Sequence, residues 1–404
     1  MASANGGELP VRIVSRSFVK ASDDSIQPHV LAVSNLDLLL KQTMQVSMFC
    51  IYPKPSNGDF NDVVAAFASG LPSFLNHFFP FTGRIVANAI SGLPEVHCNN
   101  QGAELVVGEV GIALRSLDYG TMGMSLRKIQ LPHAKDVALS VQLLSFACGG
   151  FTVGWATDHV LVDGHALCML VGAWSELARS RTLAPASRPN HDRSVFRSRA
   201  TPTYSAALDE SFTPLLDGGQ LVNVLTTEQS FVERLYYIEA SDIARLREAA
   251  SRDGERATRV QAVSAYLWKA LAAAVGTADA HCRMGCVEEL HRKQLLEVAS
   301  MAREAITAPA YYERFQELVD WMEEHKSGAR YVKKAMIVPG SPVVGVSLAS
   351  SFPLDTDFGF GDAAMAMPTM TSGSAKLCSG FMLFAARPAV ANPYKNEGWA
   401  RIKI

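Results

Sequence analysis

The stretch that decides the fold reads Phe146-Ala-Cys-Gly-Gly-Phe-Thr-Val-Gly-Trp-Ala-Thr-Asp-His-Val-Leu-Val-Asp-Gly164. Just upstream, Val137, Leu139, Val141 and Leu143 alternate with small or polar residues, the period-two pattern of a half-buried strand. Gly149-Gly150 supplies a two-residue hairpin turn, because both positions tolerate positive φ. A second alternating run, Phe151, Val153 and Trp155, delivers His159 at its far end. Beyond Gly164 the period changes: Leu167, Leu170, Trp174 and Leu177 fall three to four residues apart, as on a helix. His159 is therefore held where a strand gives way to a helix, with Asp163 at the junction. Rigid elements present such junctions to clefts.

Around this stretch lies a chain of 404 residues, for which two domains are the starting expectation. It is 48% hydrophobic and 19% charged, with a formal net charge of -2, the composition of an ordinary globular protein. So balanced a charge leaves no electrostatic footprint for nucleic acid or an anionic membrane. The N-terminus has no basic segment followed by an apolar one, and the apolar run from Leu36 to Ile51 is broken by Lys41 and Gln42. Neither a signal peptide nor a membrane span is expected. The seven cysteines (50, 98, 148, 168, 282, 286 and 378) are scattered and mostly in apolar runs, which reads as reduced, buried thiols in a cytoplasmic protein.

Strands are expected over Val11 to Val19 and Gln45 to Tyr52, and short ones at Glu95 to Cys98 and Leu105 to Val107. Asn61 or Asp62 is placed to cap a helix whose apolar face is Val63, Phe67, Leu71, Phe74, Leu75 and Phe78. From Arg179 to about Thr226, prolines, glycines and polar residues read as a linker without core elements. Further on come a strand at Phe231 to Ile238, a helix Asp242 to Arg252 capped by Ser241, and a helix opened by a Thr258–Gln261 capping box. Helices at Leu295 to Ala308 and Tyr311 to His325 follow, then strands at Met336 to Leu348 and Cys378 to Ala386. The implied organisation is α/β: an N-terminal domain (1–180), a crossover (181–226) and a C-terminal domain (227–404).

His159 has the one side chain that titrates near neutrality unperturbed, so it suits a general base that takes a proton from an attacking nucleophile. A histidine at a strand end is also an ordinary core residue, and a His-x-x-x-Asp match is common by chance. Asp163, opening a helix, is first of all an N-cap. Gly359-x-Gly361-x-x-Ala364 mimics a dinucleotide fingerprint, but Pro368 interrupts any following helix. Asp357-Phe-Gly stands without the other kinase motifs, and His281, Cys282, Cys286 and His291 lack the paired spacing of a zinc site. No metal is expected.

His159-Val-Leu-Val-Asp163-Gly164 and Asp357-Phe358-Gly359-Phe360-Gly361 occur in this order, one per half. The pairing resembles the plant acyl-CoA-dependent acyltransferases of the BAHD family, whose second motif usually reads Asp-Phe-Gly-Trp-Gly. Phe79-Pro-Phe-Thr-Gly-Arg-Ile85, Ser34 to Asp37, Phe146-x-Cys-Gly-Gly-Phe and Asp192-Arg193 are similar to further family stretches. The resemblance runs from about Val14 to Arg387. It implies two chloramphenicol-acetyltransferase-like domains of mixed sheet and helices, joined by the crossover, with a channel between them and His159 midway along it. It implies transfer of an acyl group from acyl-CoA, the co-substrate, to the hydroxyl or amine of a small metabolite. No bound cofactor and no acyl-enzyme is needed. Asp163, with Gly164, would orient the histidine loop by pairing with an arginine, and Asp357 to Gly361 would shape the channel and domain interface. A cytoplasmic monomer is implied.

The chain departs from the family at three places. Phe360 replaces the usual Trp. Cys286-Val-Glu-Glu-Leu runs almost directly into a helix where relatives carry an arginine-rich strand, leaving Arg283 or Arg292 as stand-in partners of Asp163. The tail after Arg387 does not resemble the family's final strand and helix. The last two departures support a second expectation, a non-catalytic or impaired relative acting as a partner in lipid or wax acyl-chain metabolism.

Overall fold

Apolar alternation through the first half of the chain produces eight strands and two long helices in the computed structural model. These are β1 (Val11–Val19), β2 (His29–Ala32), β3 (Gln45–Tyr52), α1 (Phe60–His77), β4 (Arg84–Ala87), β5 (Pro94–Cys98), β6 (Ala103–Val110), β7 (Leu139–Phe146), β8 (Phe151–Asp158) and α2 (Gly164–Ser180). Downstream come α3 (Ala206–Asp209), β9 (Phe212–Pro214), β10 (Tyr236–Tyr237), α4 (Ala240–Ala249), α5 (Arg259–Val275), β11 (His281–Cys282) and β12 (Gly285–Cys286). The last elements are α6 (Leu295–Thr307), α7 (Tyr311–His325), β13 (Tyr331–Lys333), β14 (Val344–Leu348), β15 (Met365–Met370), β16 (Ser379–Leu383) and β17 (Ala400–Arg401). The structure describes residues 11–40, 45–119, 126, 128–214, 236–252, 254–275, 281–282, 285–286, 290, 292–307, 311–328, 331–334, 344–348, 356–370, 379–383 and 400–401. Parts of the strands expected at 231–238, 336–348 and 378–386, the 287–289 stretch and most of the tail lie outside these residues.

The central sheet has the order β1-β6-β7-β8-β3-β15. Only β6 and β7 run parallel within it; the other neighbours are antiparallel. Its last strand comes from the C-terminal half: Met365 pairs with Ile51 and Met370 with Val46. That strand falls inside the expected 227–404 domain yet hydrogen-bonds to the sheet of the first half. Among the described residues no helix is long and apolar enough to cross a membrane.

Both faces of the sheet are covered except at its edge strand β1, which is mostly exposed. On one face Met48, Cys50, Leu139, Val141, Val153 and Trp155 pack under α1 and α2, against Val63, Phe67, Leu71, Phe74, Leu170 and Trp174. On the other, Phe49, Ile51, Leu144, Phe146, Met365 and Met367 join Leu114, Tyr119 and Ile129. The expectation of a half-buried strand at β7 is thus corrected. Two of its polar residues are buried too, at 0% exposure for Ser140 and 5% for Gln142. They are tolerated because each is bonded: Ser140 Oγ donates to Glu104 (2.6 Å), Leu131 N donates to Gln142 Oε1 (2.8 Å), and Gln142 Nε2 donates to Leu131 O.

The hairpin turn also differs from expectation. Residues 147–150 form a four-residue loop, with Phe146 N donating to Gly150 O (2.9 Å) and Gly149 N to Phe146 O (2.8 Å). Only Gly149 has positive φ (79°). Two caps shift as well. Asp59, not Asn61 or Asp62, caps α1, since its carboxylate accepts from both Asn61 N and Asp62 N while Asp62 answers at Asp59 N. Ser241 lies inside α4, which begins at Ala240. The Thr258–Gln261 box is present in both directions, at 2.8 and 3.2 Å.

The crossover is more ordered than a linker. Leu208 and Phe212 are buried with Leu318, Trp321 and Met322 of α7, and β9 pairs with β13. Phe212 stacks on Trp321 with ring centroids 4.2 Å apart. The prolines of this segment concealed two apolar anchors, four residues apart but too few to show a period. Of the cysteines, Cys50, Cys98 and Cys168 are buried free thiols, and Cys148 is an exposed one. Burial pushes the thiols of Cys98 and Cys168 up to about 11, helped at Cys168 by the Asp163 carboxylate. The side chains of Cys282 and Cys286, and all of Cys378 and His291, lie outside the described residues. Among the described residues no group of three His, Cys, Asp or Glu is placed to hold a metal.

Candidate active site

Residues 159–163 join β8 to α2, and an apolar run between two polar ends explains how they sit. Val160, Leu161 and Val162 are buried in the core under the helices, whereas Asp163 is exposed and His159 half-buried. The three apolar side chains hold the loop down by burial, leaving the imidazole at its rim. Asp158, the last residue of β8, is itself buried and fixes the turn. Its Oδ1 accepts from Val160 N (3.0 Å) and its main-chain oxygen from Leu161 N (3.0 Å). Asp163 Oδ1 accepts from Ala166 N (2.8 Å), the expected N-cap of α2. Gly164 is the first helical residue. Among the described residues the His159 ring makes no hydrogen bond, and Asp163 makes no ion pair. Arg283, one of its two expected partners, lies outside them.

Two stretches singled out in the sequence meet at this loop. Asp37 Oδ2 accepts from Ser34 N (3.0 Å) and Ser34 Oγ (2.7 Å), and is bridged by Arg193 Nη1 at 2.6 Å. Arg193 Nη2 reaches Leu161 O at 3.4 Å. Neighbouring Asn35 donates to Val319 O (2.9 Å) and to Glu323 (2.8 Å) on α7.

Asp357 to Gly361 lie at the other end of the sheet, beside Tyr52 and Phe151. The eight residues of β8 separate these ends by about 23 Å at roughly 3.3 Å per residue. Asp357 Oδ1 accepts from Gly359 N (2.9 Å) and Gly361 N (3.2 Å), a turn that Gly359 and Gly361 permit with φ of 92° and 104°. Ser175 Oγ of α2 donates to Asp357 O (2.6 Å), and Tyr52 Oη to Thr356 O. Phe358 is buried against Tyr52, Phe67 and Trp155, and Ser56 N donates to Phe360 O (3.4 Å). This loop therefore ties the C-terminal half to α2 and β3 and does not touch the histidine.

A cavity of about 380 Å³ lies between α1, α2 and this loop, lined among others by Gly70, Trp174, Arg179, Arg181, Phe358 and Phe360. His159 is not among its walls. It belongs to the loop's end of the sheet rather than to the histidine's.

The sequence model described as the Transferase family matches residues 9–286. The chain belongs to that family, the BAHD acyltransferases. It is 27% identical over 288 residues to putrescine hydroxycinnamoyltransferase 1 of Oryza sativa subsp. japonica, covering 67% of this chain and 61% of the rice protein. It is 26% identical over 292 residues to anthranilate N-benzoyltransferase protein 1 of Dianthus caryophyllus, covering 67% and 64%. The aligned part thus spans under two thirds of these relatives' own length. In three dimensions the chain is similar to vinorine synthase (TM-score 0.65, 20% identity, 92% and 91% of the two chains). It is also similar to F. graminearum TRI101 complexed with coenzyme A and T-2 mycotoxin (0.64, 14%, 85% and 89%). These likenesses establish the chloramphenicol-acetyltransferase-like fold for this BAHD chain.

Two residues at the site, and one that ties the crossover to α7, escaped notice as such in the sequence. Asp158 had a readable signal, an Asx residue immediately before a turn. Arg193 was visible only as half of an Asp-Arg pair in an otherwise patternless crossover. Asp320, described below, had no local signal at all.

Proposed function

We propose that this BAHD chain transfers an acyl group from acyl-CoA to a hydroxyl or amine of a small metabolite, with His159 as general base. The single observation that supports this most is the pinned junction itself: a half-buried imidazole between a strand-end aspartate and a capped helix, in a chain of this family. The imidazole takes the proton of the acceptor O–H or N–H as that atom attacks the thioester carbonyl. The tetrahedral oxyanion collapses, the C–S bond breaks, and the CoA thiolate leaves and recovers the proton. No acyl-enzyme forms in this scheme. The names of the relatives, hydroxycinnamoyl- and benzoyltransferases acting on putrescine and anthranilate, support an aromatic acyl donor and an amine acceptor. The same proposal takes the protein as a cytoplasmic monomer of two lobes, divided near 181–226.

The test is release of free CoA thiol from a panel of aromatic and aliphatic acyl-CoAs, with mixed amines and alcohols. His159→Ala is expected to lower turnover by about 10²- to 10⁴-fold. Undiminished turnover in that variant removes His159 from the reaction. A folded wild-type chain that releases no thiol with any pair overturns the transferase proposal.

A further inference from the structure

Resting on the proposed role of His159, we propose that Arg193 is a positioning residue that holds the histidine turn through its main chain. The guanidinium has two acceptors from distant parts of the chain: Asp37 Oδ2 at 2.6 Å and Leu161 O at 3.4 Å. The first contact is a short charge-assisted bond between half-buried partners, at 21% and 26% side-chain exposure. The second is long and weak alone. Its effect comes from where it acts. Leu161 N already donates to Asp158 O, so Leu161 is held at both its amide and its carbonyl. Val160 N is held by Asp158 Oδ1. His159 is the residue spanned by these restraints, which set the direction of its Cα–Cβ bond.

The anchor is itself anchored. Asp37 is fixed by Ser34 through two bonds, and Asn35, between them, is fixed to α7 through Val319 O and Glu323. The N-terminal segment, itself fixed to α7, thus backs the crossover side chain that reaches the turn. An arginine suits this place because its planar fork reaches two acceptors at a set angle, which a lysine ammonium does not. Arg193 acts through the turn and touches no reacting atom.

The experiment compares wild type, Arg193→Gln, Arg193→Lys and Asp37→Asn. In each variant kcat for acyl transfer is expected to fall about 10- to 100-fold, the cost of a misplaced reacting group, while KM for acyl-CoA stays within about 2-fold. Independently of activity, the C2-proton NMR signal of His159, assigned by its loss in His159→Ala, is expected to shift or broaden in the Arg193 variants, and that of His133 to stay put. Should Arg193→Gln fail to fold, Arg193→Lys and Asp37→Asn carry the same readouts. A wild type that transfers acyl groups, with variants that keep kcat and an unmoved His159 signal, overturns the positioning role and leaves the transferase proposal standing. A wild type without transfer overturns the latter, and the NMR signal then decides the former: moved supports it, unmoved overturns it.

Discussion

Gly149 and Gly150 stand side by side in the β7–β8 loop and are required for different reasons. Gly149 has φ of 79°, where a side chain strains the backbone. Gly150 has an ordinary φ, but a Cβ there would lie 2.5 Å from Leu114 Cδ1 and 2.9 Å from Tyr52 O. The loop is pressed onto the chain beyond β6, with Ala147 N donating to Ile112 O (3.0 Å). Gly150→Ala is therefore expected to cost about 1–3 kcal/mol through overpacking against a main-chain oxygen, read as a lower midpoint in urea unfolding. The Gly-Gly pair was legible as a turn from its letters. Which glycine serves conformation and which serves close approach was not, because the second depends on Leu114 and Tyr52, both far away in the chain.

At the scale of elements, α1 and α2 meet through another glycine. A Cβ at Gly70 would lie 2.7 Å from Trp174 Cη2. The indole is 1% exposed, wedged between Phe67 and Phe74, and its Nε1 has no hydrogen-bond partner among the described residues. Packing alone sets the position of Trp174. In a solvent-facing helix, glycine to alanine gains up to about 1 kcal/mol from helix propensity. Here the added methyl would meet the edge of a ring held between Phe67 and Phe74, so Gly70→Ala is expected to destabilise the fold net, by about 1–2 kcal/mol. Thermal unfolding of the variant checks the sign. The helical periods of α1 and α2 were plain in the sequence, because an apolar stripe must repeat with the helix. The hole for Trp174 was not, since a mid-helix glycine reads only as a weak point until its neighbour is known.

At the scale of the molecule, Asp320 on α7 holds the crossover to the C-terminal half. Its carboxylate, fully buried, accepts from Arg199 N (2.9 Å), Thr203 N (3.0 Å), Arg199 Nε (2.5 Å) and Gln316 Nε2 (3.1 Å). Burial acts to raise its pKa, but the donors of Arg199, Thr203 and Gln316 together outweigh it and hold the carboxyl below its ordinary value. A depressed folded-state pKa means stability that is complete above the unfolded value of about 4 and is lost as pH falls through the folded one. Asp320→Asn keeps an acceptor oxygen and loses the charge. Its stability deficit is expected to be constant above about pH 5 and to shrink on acidification below about pH 4. Asp320→Ala, which leaves buried donors unanswered, is expected to cost about 3 kcal/mol by denaturant unfolding at pH 7. A deficit in Asp320→Asn that is independent of pH throughout would remove the charge from the account. The sequence by itself determined the strands and helices around His159, the helix caps at Thr258 and Asp163, and the family, because periodicity, capping and motif order are local properties. Only the tertiary structure decided that β15 closes the first sheet, that Asp357 to Gly361 sit a strand's length from the histidine, and that Asp37, Arg193 and Leu161 meet. Pairings across 32 to 322 residues are set by how whole faces bury one another, and no window of sequence contains both partners.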